Sequence, residues 1–270
     1  MIGVTGATGF IGKHLMNALG DSAIPINMRD DDKDIMNLLM ENNIKIIIHL
    51  ANPTPSINQD DVGKKGIELG ERIVDIADSI GEIYFILISS IRVYPNGFET
   101  FDKNTPLEPI DEYGRGKVAV ENIIKKSKHR VLGLRVSSVM GIDLDGTPRG
   151  LIGTFVNQSM KYGELKVMGD GSAKKDLIHV SDLIQLLLIL VEQKSPKSDL
   201  FLPVGGGKSW TVLEIANYIS KETNSEISFI EPAIYELSNS VNINDICELS
   251  GWSPIWTIEN MILESVGGLE

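Results

Sequence analysis

Residues 2–12 read I-G-V-T-G-A-T-G-F-I-G, a short apolar run that passes through three glycines into a helical pattern. Ile2, Val4 and Thr5 favour a strand, whereas Phe10, Ile11, Leu15 and Leu19 recur at helical spacing. A strand turning through glycines into a helix aims bare backbone N–H groups and the positive helix end at one point, where an anion can sit. Gly6 lets the chain turn sharply, Gly9 lets a pyrophosphate approach the backbone, and Gly12 lets helix and strand pack closely. With Thr8, Phe10 and Ile11 they form the expected cradle of a dinucleotide. The spacing is G-x-x-G-x-x-G, not the G-x-G-x-x-G of the general fingerprint. The strand before it and the helix after it separate it from an ordinary turn.

Outward from this stretch the chain keeps one rhythm. Ile24–Met28 reads as a second strand, ending in Arg29 and the acidic run Asp30–Asp32, and Ile35, Leu38 and Leu39 mark a helix. Residues 45–50 and Ile83–Ile88 are continuous apolar runs of the kind buried in parallel sheets. Apolar residues at intervals of three and four predict a helix over about 64–80. Tyr113–Lys126 reads as a helix and Val131–Val136 as a strand. β-α repeated five times predicts an α/β fold, a doubly wound parallel sheet of the Rossmann type. Beyond Gly141 the rhythm loosens: helices are expected over Leu151–Tyr162, 181–193 and Thr211–Lys221, and strands over Asp176–Val180 and Leu200–Val204. The expected organisation is a dinucleotide-binding domain of 1–140 plus about 174–205. A smaller C-terminal α/β lobe takes about 141–173 plus 206–270, to bind the substrate.

Composition narrows the classes. A 270-residue chain that is 42% hydrophobic has ample material for a core. Its most apolar run, Leu183–Val191, is too short to span a bilayer, so no membrane role is expected. The first strand starts at residue 2, leaving no room for a signal peptide, and the cytoplasm is the expected compartment. Cys247 is the single cysteine and the four histidines are scattered, so neither a disulfide nor a metal site is expected. A formal charge of −12 argues against nucleic acid as a partner. An anionic ligand must instead be held by local donors: the glycine turn, Arg29, Arg92, Arg149 and the Lys174–Lys175 pair.

Open parallel sheets bind ligands beyond the carboxyl ends of their strands. Those ends present the glycine turn, Arg29–Asp30, Leu50–Ala51 with Asn52, Ser89–Ser90, and Val136 with Ser138. Tyr113 and Lys117 lie one helical turn apart and share a face. A cation beside a phenol favours the phenolate, and bringing a pKa of about 10 to near 7 takes roughly 4 kcal/mol. Lys117 with an oxidised nicotinamide is expected to supply it. Tyr113 then acts as general acid/base on an alcohol oxygen that the Ser90 hydroxyl holds. Tyr162–Lys166 repeats the Y-x-x-x-K spacing but closes a helix beside Gly163, and is read as a structural decoy. Gly205–Ser209, G-G-G-K-S, resembles the end of a P-loop. Leu202 stands where that motif needs glycine, so a strand-to-helix turn capped by Thr211 is the better reading.

The motifs T-G-A-T-G-F-I-G at 5–12, H-L-A-N at 49–52, I-S-S-I-R-V-Y at 88–94 and Y-G-R-G-K at 113–117 belong together. So do L-R-V-S-S-V-M-G at 134–141, G-D-G-S-A-K-K-D-L-I-H-V-S-D at 169–182 and G-W-S-P at 251–254. With them the chain resembles the extended short-chain dehydrogenase/reductases, in particular the nucleotide-sugar epimerase/dehydratase group, over essentially its full length. The resemblance implies catalysis by Ser90, Tyr113 and Lys117 and an NADP or NAD cofactor. It implies a nucleotide-sugar between the lobes, met by Ser90, Arg92, Ser138 and Lys175, and a homodimer through helices 64–80 and 113–127.

Departures from the family pattern refine this. The 4,6-dehydratases of the family carry an Asp-Glu pair where Ile91 and Arg92 stand, so dehydration is not expected. Ser138 replaces the usual Asn. Lys175 replaces the usual Arg that grips the substrate pyrophosphate, a point charge without the bidentate fork. At the end of the second strand, Arg29 would pair with a 2′-phosphate or Asp30 with a ribose hydroxyl, and NADP is slightly favoured. The expected activity is hydride transfer at C4 of a nucleotide-activated sugar, as 4-epimerase or 4-ketoreductase. The alternatives are a non-catalytic cofactor-binding sensor or scaffold of the same fold, or a reductase of another small carbonyl compound.

Overall fold

The computed structural model describes residues 1–53, 61–193, 199–231 and 240–267. The first half runs β1 (Ile2–Thr5), α1 (Phe10–Leu19), β2 (Ala23–Ile26), α2 (Asp32–Glu41), β3 (Ile46–His49), α3 (Val62–Ile80), β4 (Tyr84–Ser90), α4 (Glu112–Lys126) and β5 (Arg130–Val136). There follow β6 (Ser138–Ile142), β7 (Pro148–Arg149), α5 (Gly150–Tyr162), β8 (Glu164–Met168), β9 (Lys174–His179), α6 (Val180–Gln193) and β10 (Leu200–Val204). The chain closes with β11 (Ser209–Thr211), α7 (Val212–Thr223), β12 (Glu226–Ile230), α8 (Asn244–Ser250) and α9 (Ile258–Gly267). Two compact units emerge: Met1–Pro95 with Lys103–Val136 and Leu187–Leu202, and Asn96–Asp102 with Ser137–Leu186 and Pro203–Glu270.

The first unit is built on the doubly wound sheet, whose strand order is β10-β5-β4-β3-β1-β2. β2, β1, β3, β4 and β5 are mutually parallel. All seven residues of β4 are buried, which is why its sequence shows no alternation. Ile35 and Leu39 of α2, Ile73 and Ala77 of α3, and Val120 and Ile124 of α4 pack with Ile47, Phe85 and Val131 into one core. The chain leaves β1 towards β2 on one side and returns to β3 on the other. The order therefore reverses between β1 and β3, and ligands of such sheets bind at that point.

β2 is the edge strand, where Pro25 costs no ladder hydrogen bond. It stops at Ile26, two residues before the sequence reading placed its end, because Asn27 turns the chain. The Asn27 carbonyl accepts from Asp30 N at 3.1 Å, and its side chain accepts from Arg29 N at 3.2 Å and donates to Asp30 at 2.6 Å. Arg29 and Asp30 thus lie within a turn, not at a strand end.

The second unit holds a four-stranded sheet, β11-β9-β6-β7, and a parallel pair, β8 with β12. Phe155 and Val156 of α5, Ile215 and Ile219 of α7 and Met261 and Ile262 of α9 form its core. Of its strands, only β9 was legible in advance, and it begins at Lys174, two residues early.

Candidate active site

The turn after β1 is shaped by contacts the glycines permit. Gly6 takes φ +69°, and a Cβ there would stand 2.8 Å from Ala51 N. A Cβ on Gly12 would stand 2.1 Å from Gly6 O. These two glycines serve the protein's own packing. Gly9 does not: its φ of −77° suits any residue, and its nearest neighbour to a Cβ is Gly6 O at 3.4 Å. Gly9 is the N-cap of α1, with no side-chain cap on the helix end. Phe10, Ile11 and Gly12 form the first helical turn, so free N–H groups gather at Gly9.

Gly6, Thr8 and Gly9 line a cavity of about 1150 Å³, with Leu50, Ala51 and Asn52 beyond β3 and Asn27 and Arg29 beyond β2. Thr5 Oγ1 accepts from Ala51 N at 3.1 Å and meets His49 Nδ1 at 2.9 Å, tying the ends of β1 and β3 together. His49 is neutral, pushed down to about 3 by burial and then by the Lys117 charge. Arg29, Lys65 and Arg72 bring positive charge to the cavity wall against Glu68. Arg72 donates to the Met28 and Asp30 carbonyls and to Asp32 Oδ1 at 2.5 Å, pinning the loop after β2 from α3. The lining does not include Asp30, whose carboxylate Asn27 holds. A smaller cavity of about 280 Å³, walled by Trp210 and Trp256 in the second unit, is lined by Gly206 and Lys208 of the G-G-G-K-S stretch and by none of the expected catalytic or cofactor-binding residues.

Ser90 ends β4, and Tyr113 and Lys117 sit on one face of α4. A hydrogen bond joins Ser90 to Tyr113, and Ser90 Oγ also accepts from Arg92 N at 3.2 Å. Lys117 is buried and donates to the Ile88 carbonyl at 2.8 Å; burial pushes it down to about 8 against the pull of Glu121. Burial raises Tyr113 above the ordinary phenol value, while Arg92 and the Ser90 hydrogen bond draw it down and Asp111 raises it. The expected cationic pull on Tyr113 therefore comes first from Arg92, whose Cζ is 5.0 Å from the ring centroid; Lys117 Nζ is 5.7 Å away.

One more turn along α4 stands Glu121, absent from the sequence reading although it continues the Tyr113–Lys117 stripe. Arg135 of β5 grips it bidentately at 3.1 and 2.8 Å and reaches Tyr94 Oη at 3.2 Å. Ser89 gives its hydroxyl to this buried pair, donating to Glu121 at 2.5 Å. Its side chain is thus committed away from any ligand, unlike that of Ser90. Val136 is buried at the end of β5. Ser138 and Lys175 belong to the second unit, Ser138 opposite Leu177 in the β6–β9 pair and Lys175 opposite Trp210 in the β9–β11 pair. Tyr162 is 64% exposed at the end of α5, and Lys166 falls in β8, so the decoy pair shares no helix face.

Comparisons with known proteins agree with this architecture. The dTDP-4-dehydro-6-deoxyglucose reductase of Escherichia coli is 25% identical, over 96% of this chain and 94% of the relative. A putative UDP-glucose 4-epimerase of Methanocaldococcus jannaschii is 26% identical, over 94% and 93%. The solved structure of MoeE5 in complex with UDP-glucuronic acid and NAD has the same fold at a TM-score of 0.88. It is 19% identical and is matched over 99% of this chain and 98% of that one. The model of the NAD dependent epimerase/dehydratase family matches residues 2–201, and the chain belongs to that family.

Proposed function

We propose that the chain is an NAD(P)-dependent oxidoreductase or epimerase acting at C4 of a nucleotide-activated sugar, with Ser90, Tyr113 and Lys117 as its catalytic residues. The observation that carries this reading is the meeting of three separately encoded side chains. Ser90 from β4 bonds Tyr113 in the first turn of α4, and Lys117 follows one turn on. Gly9 supports the cofactor, because its missing side chain leaves the N–H groups of α1 open to a pyrophosphate. A bound nicotinamide supplies or accepts the hydride. Ser90 orients the sugar oxygen, Tyr113 gives or takes its proton, and Lys117 adds positive charge on the same side. Ile91 and Arg92 offer no carboxylate pair for water loss, so dehydration is not part of the proposal.

The cations Arg29 and Lys65 on the cavity wall support NADP(H) over NAD(H), in a chain whose net charge of −12 otherwise repels a third phosphate. Arg29→Ala should abolish the preference in a fluorescence titration; a parent that binds both cofactors equally well, or NADH better, refutes it. The homodimer through α3 and α4 belongs to the same reading, and sedimentation of the purified protein tests it.

The deciding assay incubates the protein with UDP-, dTDP-, GDP- and CDP-sugars and their 4-keto forms, following cofactor absorbance and sugar composition together. Net oxidation of reduced cofactor means a ketoreductase; interconverted sugars without net cofactor change mean an epimerase. Tyr113→Phe should lower turnover by at least about 10²-fold with cofactor binding nearly intact, and Tyr162→Phe should change little. If Tyr162→Phe is the inactive one, the wrong tyrosine has been chosen.

A further inference from the structure

We propose that Arg92 is a positioning residue that acts through Tyr113: clamped by Asp111, its guanidinium supplies the positive field under which the phenol releases its proton. This deepens the catalytic reading above and rests on it. Lys117 is drawn away from the ring, with its Nζ donating to the Ile88 carbonyl at 2.8 Å and Glu121 one turn behind it. Arg92 is held against the ring. Its Nε and Nη2 both donate to Asp111 Oδ2, at 2.9 and 2.5 Å. Asp111 Oδ1 accepts from Gly114 N at 2.7 Å and so caps α4. One carboxylate thereby ties the cation to the helix whose second residue is Tyr113. The fit leaves no slack: a Cβ on Gly114 would stand 2.2 Å from the Arg92 carbonyl oxygen.

The two cations also differ in how long they last. Burial lowers Lys117 to about 8, so its charge fades on the alkaline side of neutrality, whereas a guanidinium stays charged throughout. Around Tyr113 stand Arg92 from the turn after β4, Ser90 from β4, Asp111 from the helix cap and Lys117 from α4. Neutral His49 of β3 and paired Glu121 lie behind Lys117. Asp111 opposes Arg92 but touches it directly, so removing Arg92 also bares a negative charge beside the phenol. Both changes act in one direction and disfavour the phenolate.

The test titrates Tyr113 by the ultraviolet absorbance of phenolate in the full chain, using the difference between each protein and the same protein carrying Tyr113→Phe. It also records the pH–rate profile. Arg92→Gln should move the Tyr113 midpoint up by about one pH unit, and with it the limb of the rate profile that Tyr113 sets, the acid limb where it takes the sugar's proton and the alkaline limb where it gives one. Arg92→Lys, which keeps the charge, should restore most of the parental midpoint. Arg92→Gln combined with Asp111→Asn should still titrate above Asp111→Asn alone, which keeps the test valid if Arg92→Gln does not fold. The proposal is overturned if Arg92→Gln titrates with the parent, if Arg92→Lys shifts as far as Arg92→Gln, or if the double variant matches Asp111→Asn. Activity surviving in Tyr113→Phe would instead overturn the acid/base reading, and the spectroscopic shift separates the two failures.

Discussion

Two glycine-rich turns that follow strands, one leading from β1 into α1 and one leading from β10 into the short strand β11 rather than straight into the expected helix, use glycine for opposite purposes. After β1, the missing side chain of Gly9 faces a cavity of about 1150 Å³, with no atom closer than 3.4 Å to where a Cβ would stand. After β10, a Cβ on Gly205 would lie 2.2 Å from Asp176 Oδ1 and one on Gly206 2.1 Å from Leu177 O. The second turn wraps a carboxylate of its own chain: Asp176 Oδ1 accepts from Gly206 N at 2.8 Å and from Ser137 Oγ at 3.0 Å. Lys208, which a P-loop would aim at phosphate, lies over the Trp210 ring at 4.0 Å. Each turn solves the same problem, an anion against bare N–H groups. In the second the anion is built in; in the first it has to arrive. Within the first turn, Gly6 and Gly12 serve packing and only Gly9 is left for a ligand.

The sharpest way to break this contrast is to add one methyl group to each turn. Gly206→Ala drives a Cβ into a backbone carbonyl that cannot swing aside, and should cost about 3 kcal/mol in urea denaturation. Gly9→Ala meets only ordinary contact distances, and its stability should stay within about 1 kcal/mol of the parent. Its affinity for NADPH or NADH should nevertheless fall at least about tenfold. A Gly9→Ala protein that binds cofactor like the parent would remove the first turn from the ligand site.

A second consequence is a pH signature that only the self-filled turn carries. Burial pushes Asp176 up to about 6, against the Gly206 and Ser137 hydrogen bonds, from an ordinary 3.8. The folded chain therefore holds this proton more tightly than the unfolded chain. Below about pH 4 both forms are protonated and the group is neutral in its effect. As pH rises towards about 6 the fold has to bury an ionised carboxylate, and it loses up to about 3 kcal/mol. Asp176→Asn keeps an acceptor for Gly206 and removes the ionisation. The stability difference between parent and variant should shift in the variant's favour as pH rises from about 4 to about 7. A difference that stays flat over that range means Asp176 is ionised in the fold throughout.

How much of this was legible in the sequence follows from how local each feature is. The apolar runs of β3 and β4 and the periodicity of α3 and α4 are carried by neighbouring residues, and so is the Tyr113–Lys117 face. The end of β2 was misplaced because one side chain, Asn27, turns the chain against the strand-forming tendency of Met28. β6, β7, β8, β11 and β12 are two to five residues long and exist through pairing with remote segments, as Lys175 does with Trp210. The Arg92–Asp111 pair spans 19 residues, and nothing in either local sequence announces it. Glu121 is different: its place on the Tyr113–Lys117 stripe was readable, and only its partner Arg135 was not.

The smallest expected effect concerns how the two helices begin. α7 is closed by its own residues: Thr211 Oγ1 accepts from Glu214 N at 3.1 Å, and Glu214 Oε2 accepts from Thr211 N at 2.8 Å. α1 begins at Gly9 with no side-chain cap. Thr211→Ala deletes the acceptor for Glu214 N and should cost about 1 kcal/mol, with no effect on cofactor affinity. Gly9→Ser does the reverse. The extended backbone at Gly9 suits a capping serine, so the protein gains a few tenths of a kcal/mol at most, about the limit of a denaturation curve. The new hydroxyl then competes for the same N–H groups as a pyrophosphate, and cofactor affinity falls. If Gly9→Ser lost stability but kept its affinity, the N-terminus of α1 would be an ordinary helix end, and the first turn would hold no anion that its own side chain could displace.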